Sequence, residues 1–160
     1  MKELWAPWRV EYFKRPKDEG CFLCKSFAEK NDRENHVVKR GKTCAVVINR
    51  YPYTGGHLMI CPFRHVDSLN DMTEEETLEM WNMANASINA LKKTIKPDGF
   101  NIGINIGEAA GAGLKDHVHL HIVPRWTGDT NFITVFADVR VVPQGLNELW
   151  DILHGEMANG

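Results

Sequence analysis

The chain has 160 residues and a formal net charge of −2, which fits one domain that can bury a core without disulfides. A nearly balanced charge gives no general attraction to nucleic acid or to an anionic membrane, so a polyanionic ligand would need a local site. No apolar run approaches the roughly 18–20 residues of a membrane span, and the N-terminus lacks the apolar core of a signal peptide. We therefore expect a cytoplasmic protein whose four cysteines stay reduced.

The N-terminal half predicts an aromatic arm followed by short strands. Residues 1–20 are too aromatic for a disordered tail, and we expect this arm to dock on the body or on a second subunit. A Cys-x-x-Cys turn then leads into a short helical segment. Residues 36–40 and 43–49 predict a β-hairpin, and residues 57–63 predict a further strand.

Residues 73–95 predict one long helix. Thr73 and Glu76 form a capping-box sequence at its start, and Pro97 stops it. Apolar residues recur every three or four positions and predict a single buried stripe. The predicted stripe consists of Leu78, Trp81, Ala84, Ile88, Leu91 and Ile95.

Residues 100–106 alternate strictly, which predicts a strand with apolar side chains on one face and Asn101, Gly103 and Asn105 on the other. A Gly-rich loop, GEAAGAGLKD, follows it. The expected fold is α+β, a mostly antiparallel sheet with one long helix, in a single domain over residues 1–160. Residues 127–160 form a C-terminal extension with a short helix at 146–153.

Three histidines alternate with aliphatic residues in DHVHLHIVPRW, residues 116–126. On a strand this period of two places His117, His119 and His121 on one face and the aliphatic residues on the other. Alternate residues stand roughly 7 Å apart, too far for one metal ion to bind all three imidazoles. The pattern favours a row of nucleophilic, proton-transferring groups along an extended substrate over a merely solvated face.

The segment HVHLHIVPR resembles the signature of the histidine triad family, His-φ-His-φ-His-φ-φ with φ hydrophobic. The upstream block VVINRYPYTGGHLMICPFRHV is similar to the nucleotide-binding half of that family. Its Asn-Arg-x-Pro stretch and Cys-Pro strand resemble the fragile-histidine-triad branch, which acts on dinucleoside polyphosphates. The resemblance implies a HIT-like fold and a homodimer.

The family's mechanism implies different roles for the three histidines. His119 matches the nucleophile that attacks the α-phosphorus and forms a nucleotidyl-histidine intermediate. The resemblance also implies that His121 lies beside the same phosphate, where a protonated imidazole or a backbone amide can hold a non-bridging oxygen as negative charge shifts. Whether phosphate or water then accepts the nucleotidyl group is left open.

The resemblance also implies contacts to the ribose, the base and the phosphate chain. Asn49 and His57 match positions that hold the ribose and close the nucleoside pocket, although Asn49 also fits a simple turn cap before Tyr51. Asn105 matches an amide that contacts the phosphate or the leaving group. The other implied contacts are two base-packing neighbours and three positions of the Gly-rich loop: Ile48, Met59, Gly111, Gly113 and Lys115.

A second constellation consists of Cys21, Cys24, His65 and His117. Two thiolates and two imidazoles complete a zinc tetrahedron, and zinc-containing members of the family ligate metal through such a set. The resemblance thus implies one structural zinc per chain, with His117 as a ligand rather than a reacting group. A buried thiol pair is the alternative.

The predicted function is cleavage of purine dinucleoside polyphosphates of the diadenosine tetraphosphate type, with no nucleic-acid or membrane partner. Two alternatives stay open. One is a nucleoside phosphoramidate hydrolase of the same family, which the Asn-Arg-x-Pro stretch and the C-terminal extension disfavour. The other is a nucleotide-binding or sensing module with incidental activity, which the intact triad disfavours.

Overall fold

A computed structural model of the chain describes residues 20–107, 110, 117–129 and 145–158. The predicted N-terminal arm up to residue 19 and the loop positions Gly111, Gly113 and Lys115 lie outside these ranges. Within them, no helix combines the length and the apolar character that crossing a membrane requires.

In the part of the chain that the structure describes, five antiparallel strands form one sheet in the order β1-β2-β3-β5-β4. The strands are β1 Val37–Arg40, β2 Cys44–Ile48, β3 Leu58–Pro62, β4 Gly99–Ile104 and β5 Leu120–Arg125. The helices are α1 Phe22–Ala28, α2 Glu74–Thr94 and α3 Leu146–Ala158, with a 3-10 turn at Leu69–Asp71. The α+β prediction with an antiparallel sheet and one long helix is confirmed.

The two faces of the sheet bury different clusters because side chains alternate along each strand. The larger cluster packs strand residues such as Val46, Ile60 and Leu120 against α2 and α3. The smaller cluster, which includes Val47 and Met59, lies on the other face with α1. Strands β2 and β3 are buried on both faces, so the centre of the sheet is a fixed platform.

Helix α2 begins with the predicted capping box, in which Thr73 and Glu76 each bond the other's backbone N–H. Its predicted stripe is partly wrong. Leu78 and Trp81 are 64% and 50% exposed. The helix instead packs through small or flexible side chains, which allow it to lie close on the sheet. The buried apolar residues of α2 are Met80, Met83, Ala84, Ala90 and Leu91.

The predicted apolar face of the fourth strand is only partly buried. Phe100 and Ile104 pack against the larger cluster, whereas Ile102 and Ile106 are 40% and 61% exposed. Strand β4 lies at the edge of the sheet and ends at Ile104. Less of this strand is therefore covered than the alternation predicted.

Helix α3 extends past the predicted end at residue 153 and packs into the larger cluster. It also covers the outer edge of β1. The indole N–H of Trp150 donates to the carbonyl oxygen of Val37 over 2.9 Å, and His154 Nδ1 lies 2.7 Å from the carbonyl oxygen of Val38. These contacts occupy carbonyls of an edge strand that would otherwise face solvent.

Candidate active site

The three histidines lie on the face of the sheet opposite α2 and α3, as the alternation predicted. The aliphatic residues between them belong to the larger cluster. Strand β5 begins only at Leu120, so His117 and His119 precede it and His121 lies within it. All three imidazoles are buried, and the His119 and His121 ring centroids are 4.7 Å apart with one ring edge toward the other.

The position of the proton on His119 follows from its hydrogen bond. Its Nδ1 lies 2.8 Å from the carbonyl oxygen of His117, and a carbonyl can only accept. Nδ1 therefore carries the proton in the neutral ring, and Nε2 keeps a lone pair. Burial lowers the pKa of His119, which favours this neutral form. The ring can thus act as a nucleophile through Nε2.

His121 sits at the centre of a polar group built from three elements. Its Nδ1 lies 2.9 Å from Nε2 of His57, and its Nε2 lies 3.4 Å from the side-chain amide of Asn105. Burial, followed by the proximity of His119, lowers the pKa of His121 to about 4. For His57, burial and then the neighbouring histidines lower the pKa to about 3. Both rings are therefore neutral near pH 7.

The turn before β3 positions His57. Asn49 Oδ1 accepts the backbone N–H of Tyr51 over 2.8 Å, and Asn49 Nδ2 lies 3.3 Å from His57 Nδ1. Asn49 therefore caps the turn and also reaches the site. Gly56 has a φ of +78°, and a Cβ there would come within 2.5 Å of a side-chain carbon of Ile95. The positive φ and the close approach of the backbone to the Ile95 side chain therefore both favour a glycine at this position.

Tyr53 belongs to the site, although no motif or periodicity predicted it there. Its ring centroid is 4.5 Å from that of His57 and 5.8 Å from that of His121, with the latter pair stacked at 27°. It lies within an irregular turn, where neither strand nor helix periodicity predicts side-chain direction. Only the folded position of the turn brings this aromatic ring over the histidines.

The two predicted base-packing residues lie on opposite faces. Met59 pairs with His121 across β3 and β5 and is on the histidine face. Ile48 is 1% exposed in the larger cluster, facing the helices. The structure does not bring Ile48 to the site. Adjacent strand residues point to opposite faces of the sheet, and the neighbouring Val47 is the one on the histidine face.

The predicted metal set is brought together at the start of α1. The ligand atoms of Cys21, Cys24, His65 and His117 all lie within 4.8 Å of one another. Nδ1 of His117 is 3.2 Å from Cys21 Sγ and 3.6 Å from Cys24 Sγ. These separations fit a tetrahedral zinc ion, for which bonds of about 2.3 Å to sulfur and 2.0–2.1 Å to nitrogen place neighbouring ligands roughly 3.6 Å apart.

One further feature, the proton position on His117, makes this cluster suitable for a cation. His117 Nε2 lies 2.8 Å from the carbonyl oxygen of Pro62, so the proton is on Nε2 and Nδ1 presents a lone pair to the cysteines. Burial, with a hydrogen bond and charge interaction from Cys21, raises the pKa of Cys24 to about 11. A divalent cation would reverse that preference by stabilising the thiolates.

The comparisons with known proteins agree on one family. The family model described as "HIT domain" matches residues 30–128. The chain is 39% identical over 166 aligned residues to AP-4-A phosphorylase of Mycobacterium tuberculosis, with 99% of this chain and 85% of that protein covered. It is 30% identical to a bis(5'-adenosyl)-triphosphatase of Dictyostelium discoideum, covering 58% of this chain and 62% of that protein.

Solved structures show the same fold. A zinc-bound histidine triad family protein from Mycobacterium smegmatis aligns with a TM-score of 0.69 at 26% identity, covering 88% of this chain and 94% of that one. A hypothetical histidine triad nucleotide-binding protein from Sulfolobus tokodaii aligns with the same TM-score at 25% identity, covering 87% of this chain and 93% of that one. The HIT domain match spans more than half of the chain and contains the whole histidine row. The chain belongs to the HIT domain family.

Proposed function

We propose that this protein is an enzyme that cleaves dinucleoside polyphosphates of the diadenosine tetraphosphate type through a nucleotidyl-histidine intermediate on His119. The observation that carries the proposal is the hydrogen bond from His119 Nδ1 to the His117 carbonyl, which leaves Nε2 unprotonated. The names of the similar proteins, a phosphorylase of AP-4-A and a triphosphatase of bis(5'-adenosyl) substrates, support the substrate class.

The chemistry proceeds in two displacements. His119 Nε2 attacks the α-phosphorus, a phosphorus–nitrogen bond forms, and the bridging P–O bond breaks to release the remaining nucleotide. Phosphate or water then attacks the same phosphorus and frees the histidine. His121 donates a hydrogen bond to an oxygen of the phosphoryl group as negative charge builds up. A buried, preorganised hydrogen-bond donor stabilises this negative charge more strongly than a donor in water would.

The proposed substrate contacts are those that the histidine face can offer. Met59 lies beside His121 in the sheet and is suited to pack against a base. Asn105 lies next to His121 Nε2, where a phosphate oxygen would sit. Backbone amides at Gly111 and Gly113 and the ammonium group of Lys115 stay proposed contacts to the phosphate chain.

We also propose one structural zinc ion held by Cys21, Cys24, His65 and His117. It would tie α1 to the start of the histidine row and fix the backbone from which His119 projects. The thiolate ligands require a reducing compartment, and the four cysteines are all free, which favours the cytoplasm.

A homodimer is the proposed assembly. Helix α2 exposes Leu78 and Trp81, and the edge strand β4 with the residues after it exposes Ile102 and Ile106. An exposed apolar strand edge is a template for pairing with a second copy. We expect analytical ultracentrifugation to show a dimer that the substitution Ile102→Asp weakens. A strictly monomeric wild-type protein would contradict this assembly.

The test of the function is turnover of diadenosine tetraphosphate by wild type, His119→Ala and a control, His154→Asn, which alters a histidine on α3. We expect His119→Ala to lose more than about a thousandfold in turnover while still binding nucleotide. The control should stay near wild type. Activity of His119→Ala close to wild type would refute the covalent mechanism, and tight binding without turnover in the wild type would indicate a sensing module. ADP plus ATP formed only with phosphate would identify phosphorolysis, and AMP plus ATP would identify hydrolysis.

A further inference from the structure

The two halves of the Cys/His cluster are held in place by different parts of the fold. His65 lies in the loop after β3, and hydrogen bonds on both sides of it join this loop to the histidine row. Before it, the Pro62 carbonyl oxygen accepts from His117 Nε2 over 2.8 Å. After it, the Val66 carbonyl oxygen accepts from the Val118 N–H over 2.7 Å. The central sheet therefore fixes the histidine half of the cluster.

The cysteine half depends on α1, a short helix. It has seven residues, and isolated helices shorter than about 12–15 residues are marginal in water. Cys21 is its N-cap residue, and in the described part of the chain its side chain makes no capping hydrogen bond. Leu23, which has no exposed surface, anchors the helix in the smaller cluster. The positions of Cys21 and Cys24 therefore depend on how firmly the rest of the fold holds α1.

Arg40, the last residue of β1, binds the C-terminal end of α1. It pairs with Ala45 of the smaller cluster, so its side chain points to the face of the sheet where α1 lies. Nη1 donates to the Phe27 carbonyl oxygen over 2.9 Å, and Nη2 donates to that of Glu29 over 3.0 Å and lies 3.4 Å from that of Ser26. The last carbonyls of a helix lack helical partners and carry partial negative charge, so a guanidinium group suits them.

Two further contacts hold the guanidinium group of Arg40 in this position. Its Nε and Nη2 donate to Asp32 Oδ1 over 3.0 and 2.8 Å, and its Cζ lies 5.9 Å from the ring centroid of Phe63. The Phe63 ring meets that of Phe27 edge-on at 5.3 Å, and the Phe27 ring is 6.2 Å from that of His117. A planar group with five N–H donors can make all these contacts at once, which a lysine cannot.

We propose that Arg40 is a positioning residue for the metal site: its hydrogen bonds keep α1 docked without the ion, so that Cys21 and Cys24 already face His65 and His117. This inference rests on the proposed zinc site and goes beyond it. When a site must form as the metal binds, the ordering cost reduces the observed affinity. Residues that orient the ligands without touching the metal commonly change its affinity by about 10–100-fold.

Hydrogen exchange of the full-length protein, freed of metal with a chelator, tests the docking without metal or turnover. The reporter amides are those of Lys25 and Glu29, which donate within and at the end of α1. We expect them to be protected in wild type and at least about tenfold less protected in Arg40→Met, which keeps most of the stem but removes the donors. Amides of β2 and β3 should exchange alike in both proteins. Unprotected reporter amides in metal-free wild type would overturn the proposal.

The matched control is Arg33→Met. Arg33 also pairs with an aspartate, donating to Asp151 over 3.0 and 2.9 Å, and its Cζ also lies near an aromatic ring, 6.0 Å from the centroid of Trp150. Within the described residues it has no hydrogen bond to a carbonyl of α1. We expect the exchange of α1 in this variant to equal that of wild type. An equal loss of protection in Arg33→Met and Arg40→Met would mean that general destabilisation is the cause.

Zinc affinity, measured by competition with a chelating dye, completes the test. We expect zinc to bind Arg40→Met about 10–100-fold more weakly than wild type, Arg40→Lys between the two, and Arg33→Met like wild type. Cobalt at saturation should give the same tetrahedral absorption spectrum in all four proteins, because the ligands are unchanged. Wild-type affinity in both Arg40 variants would overturn the positioning role alone, whereas a wild-type protein that binds no zinc would remove the metal site itself. If Arg40→Met fails to fold, Arg40→Lys and Arg33→Met still decide.

Discussion

The buried neutral histidines predict that the protein loses stability as the pH falls from about 6.5. His57 and His121 have pKa values of about 3 and about 4, against 6.5 for an exposed imidazole, mainly because of burial. Between those values the unfolded chain binds protons that the folded chain does not bind. The stabilising contribution of each group is therefore complete above pH 6.5 and declines below it.

The magnitude follows from the protonation of the unfolded state. Between pH 7.5 and pH 5.5 the unfolded chain binds protons at both groups that the folded chain does not bind, so His57 and His121 together lower the free energy of unfolding by about 3 kcal/mol. For a chain of this size that corresponds to a fall in Tm of roughly 5–10 °C. Urea unfolding at the two pH values, at one fixed zinc concentration, measures the loss.

The matched variant is His57→Gln, in which the glutamine does not titrate. We expect its loss of stability between pH 7.5 and 5.5 to be smaller than that of wild type by about half of the 3 kcal/mol. Proton competition at the proposed zinc site affects both proteins equally and cancels in the comparison. An identical loss in wild type and His57→Gln would refute the conclusion that His57 is held neutral by burial.

Three further perturbations test other parts of the structure. Cys24→Ser should lower Tm and should lower the zinc content, measured by elemental analysis, from one ion per chain. A wild-type protein that contains no zinc after purification with zinc salts present would rule the site out. Glu76→Gln should cost roughly 1–2 kcal/mol in urea unfolding, because it weakens the helix cap and the 2.7 Å pair with Arg64. That pair lowers the pKa of Glu76 to about 2. The contribution of Glu76 to the free energy of unfolding should therefore be complete above about pH 4.5 and decline as the pH falls toward 2. A pH profile of stability that is the same in Glu76→Gln as in wild type would contradict this. Trp150→Phe should cost about 1 kcal/mol by removing the donor to Val37, whereas no change would mean that water replaces it.

Features set by short-range rules were predictable from the sequence. The alternation around His119 placed the histidines on one face because a strand has a period of two. The Thr73 capping box depends only on residues three apart, and it is present as predicted. The Cys-x-x-Cys turn similarly identified one half of a cluster whose other half consists of His65 and the first triad histidine, His117.

Features set by long-range packing were not predictable. The periodicity predicts an apolar stripe on α2 that includes Leu78, but the sheet contacts the adjacent side of the helix. In a helix rich in alanine and methionine, periodicity alone does not identify which side is buried. The family resemblance implies Ile48 at the site, but strand parity places its side chain on the helix face of the sheet. The position of Tyr53 depends on how an irregular turn folds back over β5, which no local pattern encodes.

The histidine row gains its chemistry from the partners of each ring rather than from the shared face. A carbonyl fixes the proton of His117 on Nε2, and another carbonyl fixes that of His119 on Nδ1, whereas His121 lies between a ring nitrogen of His57 and the amide nitrogen of Asn105. The first two rings therefore present a lone pair toward the cysteines and a lone pair suited to phosphorus. Pro62 ends β3 and His57 immediately precedes it, so the same central strand carries contacts to both ends of the histidine row. A distortion of β3 should thus change the proposed metal binding and the proposed phosphoryl chemistry together, although no residue between its ends is required to react.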